Sequence, residues 1–250
     1  SMGMGGVLQY QKKAATWISG VLYPRRCPVC MGIATPRGAL VHGECLAKLR
    51  YIREPSCKCC GRQIFRMEEE YCSACRGREH AYHAGYAVWE YESLIRRSLA
   101  AFKYHSRKEF ADFYAAEAVR RLGERIRSEN IDVLIPVPIH RTRRKERGFN
   151  QTELLAARIG KALGILVDRK YLMRTKKTER LKNLDAGERK KMLVDAFALA
   201  KRREVDYHSV MLVDDIYTTG STVDACADLL RRAGVKKVVF LCMAIGASTN

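Results

Sequence analysis

VMLVDDIYTTGST, from Val210 to Thr222, is the stretch that decides the fold class. Val210 to Val213 form an unbroken apolar run, as expected of a strand buried on both faces of a parallel sheet. Asp214 and Asp215 then fall at the carboxyl end of that strand, the edge where open α/β sheets bind ligands. Thr218, Thr219, Gly220, Ser221 and Thr222 turn the chain into a helix, whose apolar positions Val223, Cys226, Leu230 and Ala233 keep helical spacing and stop at Gly234. Backbone N–H groups at a helix start are unpaired donors, and the helix dipole favours an anion there by roughly 0.3–1 kcal/mol. The neighbouring hydroxyls add donors, and Gly220 lets the backbone approach closely. The stretch therefore reads as a phosphate site. An apolar strand ending in two acids also opens receiver domains, and a Thr/Gly turn can be a bare helix cap. Capping, however, needs one hydroxyl, and here several flank a glycine.

Working outward, Val238 to Met243 is apolar throughout and belongs beside the Val210 strand in the sheet interior. Upstream, Tyr86, Val88 and Tyr91 alternate with Glu90 and Glu92 as in a strand, and Ser93 opens a helix with Leu94, Ile95, Leu99 and Phe102 on one face. A second helix is expected from about Lys108. Val133 to Ile135 make a buried strand that Pro136-Val137-Pro138 ends in a rigid extended turn. The run that follows, His140, Arg141, Arg143, Arg144, Lys145 and Arg147, reads as a solvated basic loop leaving the same sheet edge as the two acids. Asn150 with Glu153 is expected to form a capping box for the next helix. A second basic face runs from Arg169 to Lys191, with ten Lys or Arg against three acids and a single aromatic, Tyr171. Such a face suits backbone phosphates better than base stacking.

Eight of the ten cysteines lie between positions 27 and 75. Cys27-x-x-Cys30, His42-x-x-Cys45, Cys57-x-x-Cys60 and Cys72-x-x-Cys75 recur every fifteen residues. A two-residue gap points both side chains of one tight turn at one metal, and two such knuckles complete a tetrahedral zinc site, so two zinc ions are expected. The natural sets are Cys27/Cys30/His42/Cys45 and Cys57/Cys60/Cys72/Cys75; a crossed pairing of knuckles, or Cys59 standing in for a neighbour, remains open. Disulfides compete with this reading, but nothing marks the chain as secreted, and Cys-x-x-Cys pairs with a matching His favour metal. Apolar residues are sparse between 53 and 80, so zinc is expected to supply the folding energy of this module. The composition shift at His83 divides the chain into a cysteine-rich segment, 1–82, and a second domain, 83–250.

The totals agree with two domains. The 250 residues are 47% hydrophobic with a net charge of +19, and no run approaches the roughly 18 apolar residues of a membrane span. Ser1-Met2-Gly3 reads as an expression remnant, and Val7 to Tyr23 is too broken by Gln, Lys and Thr for a secretory signal, so a cytoplasmic location is expected. A basic surface of this size favours anionic partners such as nucleic acid or acidic lipid.

The Val210 stretch resembles the signature of type I phosphoribosyltransferases. That resemblance implies an α/β fold with a parallel-sheet core, flanking helices and a hood, preceded here by the small zinc-bound cysteine-rich module. It also implies two acids on the ribose hydroxyls of phosphoribosyl pyrophosphate and a loop around its 5-phosphate. PVPIHRTRRKERGFNQ (Pro136 to Gln151), AFKYHSRKEFA (Ala101 to Ala111), the knuckles and the Val210 loop together resemble the ComF family, ComFC-type proteins of bacterial DNA uptake. The family implies a role in natural transformation and binding of single-stranded DNA. It commonly places a Gln and an Asn where this chain has Leu181 and Met192, over the acceptor side of the crevice.

The site expected on these grounds has Asp214 and Asp215 as catalytic acids. Thr218, Thr219, Gly220, Ser221, Thr222, Pro138 and Arg141 bind phosphoribosyl pyrophosphate with magnesium, and Arg143, Arg144, Lys145, Arg147, Arg174, Lys176 and Lys177 bind the nucleic acid. DNA-uptake or helicase proteins are expected partners. Two other readings stand beside this one: an active phosphoribosyltransferase of nucleotide metabolism or DNA modification, and a zinc-organised adaptor without catalysis.

Overall fold

The computed structural model describes residues 24–104, 107–176, 195–200 and 207–246. The chain divides into two compact units, residues 1–48 and 49–250. The division falls inside the cysteine-rich region rather than at residue 82, because the second cysteine quartet packs with the α/β unit. Leu181, Met192 and Lys177 lie outside the described residues, as does most of the basic face from Arg169 to Lys191.

Among the described residues, the first unit holds the knuckles Cys27-x-x-Cys30 and His42-x-x-Cys45 and a short helix, α1 (Gly43–Ala47). In the second unit the described elements run β1 (Ala84–Glu90), α2 (Ser93–Tyr104), α3 (Phe110–Ser128), β2 (Val133–Pro136), α4 (Arg141–Arg147), α5 (Gln151–Leu163), β3 (Leu166–Val167), β4 (Leu172–Arg174), β5 (Phe197–Leu199), β6 (Ser209–Tyr217), α6 (Ser221–Arg232) and β7 (Lys237–Ile245). Five strands form a parallel sheet in the order β1-β7-β6-β2-β3, and β4 pairs antiparallel with β5. Among the described residues no helix is long and apolar enough to cross a membrane.

The apolar run of β6 lies at the centre of this sheet because it can bury both faces. On one face Val210 and Leu212 pack with Val223, Cys226 and Leu230 of α6. On the other, aromatic rings bind the helices to the sheet: Trp89 of β1 stacks on Phe113 of α3 at 5.5 Å, and Tyr114 of α3 meets Phe102 of α2 at 5.3 Å.

The second quartet is buried in the same core as β6 and α6: Cys57, Cys60, Cys72 and Cys75 are 1–5% exposed, and Ile64 and Tyr82 join them there. Tyr82 meets Phe240 of β7 edge-on at 4.9 Å. Gly61, at φ +73°, lets the third knuckle lie against β1, since a Cβ there would stand 2.3 Å from the Gly85 carbonyl oxygen. The shortage of apolar residues between 53 and 80 is thus met partly by burial against the sheet, and metal is not the sole source of this segment's stability.

Three local expectations change. β6 does not stop at Val213 but runs to Tyr217 through both aspartates, because β7 continues beside it to the pair Tyr217↔Ile245. The basic run is a helix, α4, rather than a loop: His140 accepts from Thr142 N–H at its start and Gly148, at φ 74°, closes it. Arg and Lys are good helix formers once both ends are capped. Asn150 caps α5 by accepting from Thr152 N–H, but the capping box is incomplete, because the Glu153 carboxylate turns to Arg144 instead.

Candidate functional site: an acidic pair beside an anion loop

The register that pairs Pro136 with Val213 ends β2 just before the aspartates, so the flank of β6 opens at Asp214 and Asp215. Val137 N–H still donates to Val213 O (2.9 Å), and the Val137 carbonyl accepts from Thr152 Oγ1 (2.7 Å) and Asn150 Nδ2 (3.4 Å). These bonds hold the turn carrying Pro138 beside the acids.

Both aspartates are buried, at 8% and 5% exposure. Asp215 Oδ2 receives Lys103 Nζ of α2 at 2.6 Å and Gln151 Nε2 of α5 at 3.1 Å. Burial pushes the Asp215 carboxyl up, but the Lys103 charge and hydrogen bond, together with hydrogen bonds from Asp214 and Gln151, outweigh it and hold the group below the usual range. Among the described residues no cation forms an ion pair with Asp214; its Oδ1 accepts the Asp215 N–H at 2.8 Å. Burial, and then the neighbouring Asp215 charge, push the Asp214 carboxyl up to about 8. Two adjacent carboxylates thus have separated proton affinities, a common arrangement at functional sites.

Beyond Tyr217 the loop Thr218–Thr222 leads into α6. Gly220 occupies the left-handed region at φ +79°, and a Cβ there would stand 2.3 Å from the Tyr217 hydroxyl. Thr218 and Thr219 are exposed, and Thr219 Oγ1 lies 2.9 Å from Ser221 Oγ. Asp214, Ile216, Tyr217 and the loop line one small cleft. The carboxylates can accept from hydroxyl groups of a ligand, and the loop's hydroxyls and amides can donate to an anion.

Of the basic residues expected on nucleic acid, Arg143 and Lys145 are exposed on α4, as is Arg141. Arg144 makes a two-pronged bond to Glu153 (2.6 and 3.0 Å). Arg147 donates to Gln151 Oε1 (3.0 Å) and lies over the Tyr104 ring. Arg174 lies over Phe197, and Lys176 lies 3.9 Å from Asp195. The structure therefore gathers Asp214, Asp215, the loop and Pro138 at one edge, and leaves Arg143 and Lys145 outward. Lys103 and Gln151 contact Asp215, and Asn150 and Thr152 hold the Val137 turn; of these only Asn150 was singled out from sequence, and then as a helix cap. Lys103, Asn150 and Gln151 lie within the two quoted motifs and Thr152 follows the second directly; helical periodicity marks Lys103 merely as a polar-face residue.

The cysteine sets fit zinc. In each, the four ligand atoms lie within 4.8 Å of one another. Zn–S bonds of about 2.3 Å in a tetrahedron require sulfurs about 3.8 Å apart, and Cys60 Sγ lies 3.7 Å from Cys72 Sγ. His42 Nε2 bonds the Ile33 carbonyl at 2.8 Å, which places the ring proton there and turns the Nδ1 lone pair to Cys30 Sγ (3.3 Å) and Cys45 Sγ (3.9 Å). Hydrogen bonds from Cys60, Cys72 and Cys75 pull Cys57 well below the usual thiol range, while the same crowding drives Cys75 well above it. Four thiolates so close need a cation to ionise together. Cys59 forms a further cluster with Cys75 and His80.

Comparison with known proteins agrees with both parts. Residues 18–76 match the double zinc ribbon domain, and residues 112–249 match the phosphoribosyl transferase domain. Competence protein F of Haemophilus influenzae is 28% identical, covering 85% of this chain and 93% of that protein. Competence protein ComFC of Bacillus subtilis is 26% identical, covering 76% and 78%. DNA utilization protein YhgH of Salmonella typhi is 30% identical, covering 69% and 76%. A double zinc ribbon followed by a phosphoribosyl transferase domain, together with relatives matched over most of their length, means that the chain belongs to the ComF family.

Proposed function

We propose that the crevice binds phosphoribosyl pyrophosphate with magnesium, and that the chain handles single-stranded DNA in the cytoplasm during bacterial DNA uptake. The observation that carries the ligand reading is the buried Asp214–Asp215 pair directly ahead of the Gly220 loop. Asp214 and Asp215 take the ribose hydroxyls, Thr218 to Thr222 take the 5-phosphate, and the Pro138 turn with Arg141 takes the pyrophosphate. Magnesium, a hard cation suited to carboxylate and phosphate oxygens, supplies charge neutralisation on the ligand's phosphates when bound. The chain's own share in loosening the pyrophosphate is positioning and charge: the acids fix the sugar, the loop fixes its far end, and the arginines face the leaving group. The functional division is 1–82 for the two zinc sites and 83–250 for the phosphoribosyl unit.

Relatives named for competence and DNA utilization support the DNA role, as does the exposed positive charge of α4. Calorimetry with phosphoribosyl pyrophosphate and magnesium tests the ligand reading, with saturable binding expected and no binding overturning it. A pyrophosphate-release assay, with and without single-stranded DNA, then decides between a site that turns over and one that only binds.

A further inference from the structure

The Thr218–Thr222 loop contains no cation of its own, and a guanidinium bonded to it comes from the cysteine ribbon. Arg62 follows the third knuckle directly, and its carbonyl accepts Cys57 N–H at 2.7 Å, so its backbone is part of the cysteine turn. Its side chain crosses to the far end of β6, where Nη2 donates to Thr218 O at 3.3 Å. The residue is only 6% exposed, and its Nε has no hydrogen-bond partner. A buried arginine with donors to spare, aimed at a loop read as an anion cradle, calls for an explanation beyond packing.

Peptide geometry supplies one. In a trans peptide the carbonyl and the next N–H point in opposite directions. With Thr218 O held by Arg62, Thr219 N–H faces the other way. The preceding peptide is held likewise, because Tyr217 O accepts Gly246 N–H at 2.8 Å, which turns Thr218 N–H away from Gly246. Two successive carbonyls are therefore pinned, and the amide of each peptide points away from its own pin. The same ribbon segment secures the start of α6: Asp224 accepts from Ala81 N–H at 2.9 Å and lies 2.7 Å from His80 Nδ1.

We infer that Arg62 is a positioning residue for the 5-phosphate subsite, orienting the Thr218–Thr219 peptide and placing a positive charge behind the bound phosphate. This rests on the reading of Thr218–Thr222 as that subsite. The cysteine ribbon is then the outer wall of the phosphate loop.

The test is calorimetry of the full zinc-loaded chain with two probes, ribose 5-phosphate and inorganic pyrophosphate with magnesium. Arg62→Gln should weaken ribose 5-phosphate binding about 10-fold, the scale of one charge-assisted hydrogen bond. Pyrophosphate binding and zinc content should stay at wild-type values. Arg62→Lys, which keeps the charge and a donor, should recover most of the loss. If Arg62→Gln loses zinc or its fold, Arg62→Met fills the same buried space without an orphaned amide and carries the same comparison. Equal binding of ribose 5-phosphate by wild type and variant overturns the inference, as does an equal loss for both probes, which would mark Arg62 as merely structural. If the wild-type chain binds neither ribose 5-phosphate nor phosphoribosyl pyrophosphate, the subsite reading itself fails and takes this inference with it.

Discussion

Lys103 Nζ lies 2.6 Å from Asp215 Oδ2, joining the end of α2 to the centre of the sheet, with the two side chains 17% and 7% exposed. Removing one partner of such a pair strands a buried charge, at a cost of about 3–5 kcal/mol. Lys103→Met should lower stability by that order at neutral pH. The sign of its pH dependence follows from Asp215, whose carboxyl is held below its usual range in the folded chain. The pair's contribution is complete above the unfolded value, about 3.9, and is lost as pH falls through the folded one. Urea melts of the two proteins should begin to converge as pH falls below about 4; a constant difference down to acid pH would mean that Lys103 acts by packing alone.

Asp214 gives the opposite slope. The folded chain keeps its proton up to about pH 8, whereas the unfolded chain releases it near 4, so stability should fall as pH rises between those values, by up to about 1.4 kcal/mol per unit. Asp214→Asn, which keeps an acceptor for Asp215 N–H, should abolish that decline and be more stable than wild type at pH 8. Parallel pH–stability curves would contradict it.

Gly220→Ala places a methyl group at φ +79° and 2.3 Å from the Tyr217 hydroxyl. The left-handed conformation alone costs about 1 kcal/mol for a non-glycine residue, and the collision adds to it. Binding of phosphoribosyl pyrophosphate should fall at least 10-fold while zinc content is unchanged, as read by calorimetry and elemental analysis.

Elemental analysis should return two zinc ions per chain. The two sites should differ in what their loss does. Cys45→Ser should leave the melting of the α/β unit unchanged, whereas Cys60→Ser should lower it, because the second quartet shares a core with Tyr82, Val238 and Phe240. Equal effects of the two substitutions on that transition would refute the distinction.

For single-stranded DNA, Arg143→Glu with Lys145→Glu should weaken binding and flatten its logarithmic salt dependence by about 0.7 for each phosphate no longer neutralised. Arg144→Glu would instead face Glu153 and lose a two-pronged bond, so it should also destabilise the protein. DNA affinity unaffected by the double substitution would move the track away from α4.

Sequence by itself determined what short-range pattern can encode. The apolar run before Asp214 specified a buried parallel strand, the Thr218–Thr222 turn a helix entry, and the Cys-x-x-Cys spacing the cysteine knuckles; each depends on neighbours within a few residues. Where local signals competed, the reading slipped. The charge of the run 141–147 favours a solvated loop, but His140 and Gly148 cap it as a helix; two carboxylates after Val213 suggest a strand end, but β7 carries the strand on to Tyr217. Only the tertiary structure decided how the site is held. Lys103, Gln151 and Arg62 reach the site from elements remote in sequence, and no periodicity marks a polar residue whose partner lies across the fold. The burial of Asp214 and Asp215, which separates their proton affinities, likewise exists only once α2 and α5 have closed against β6.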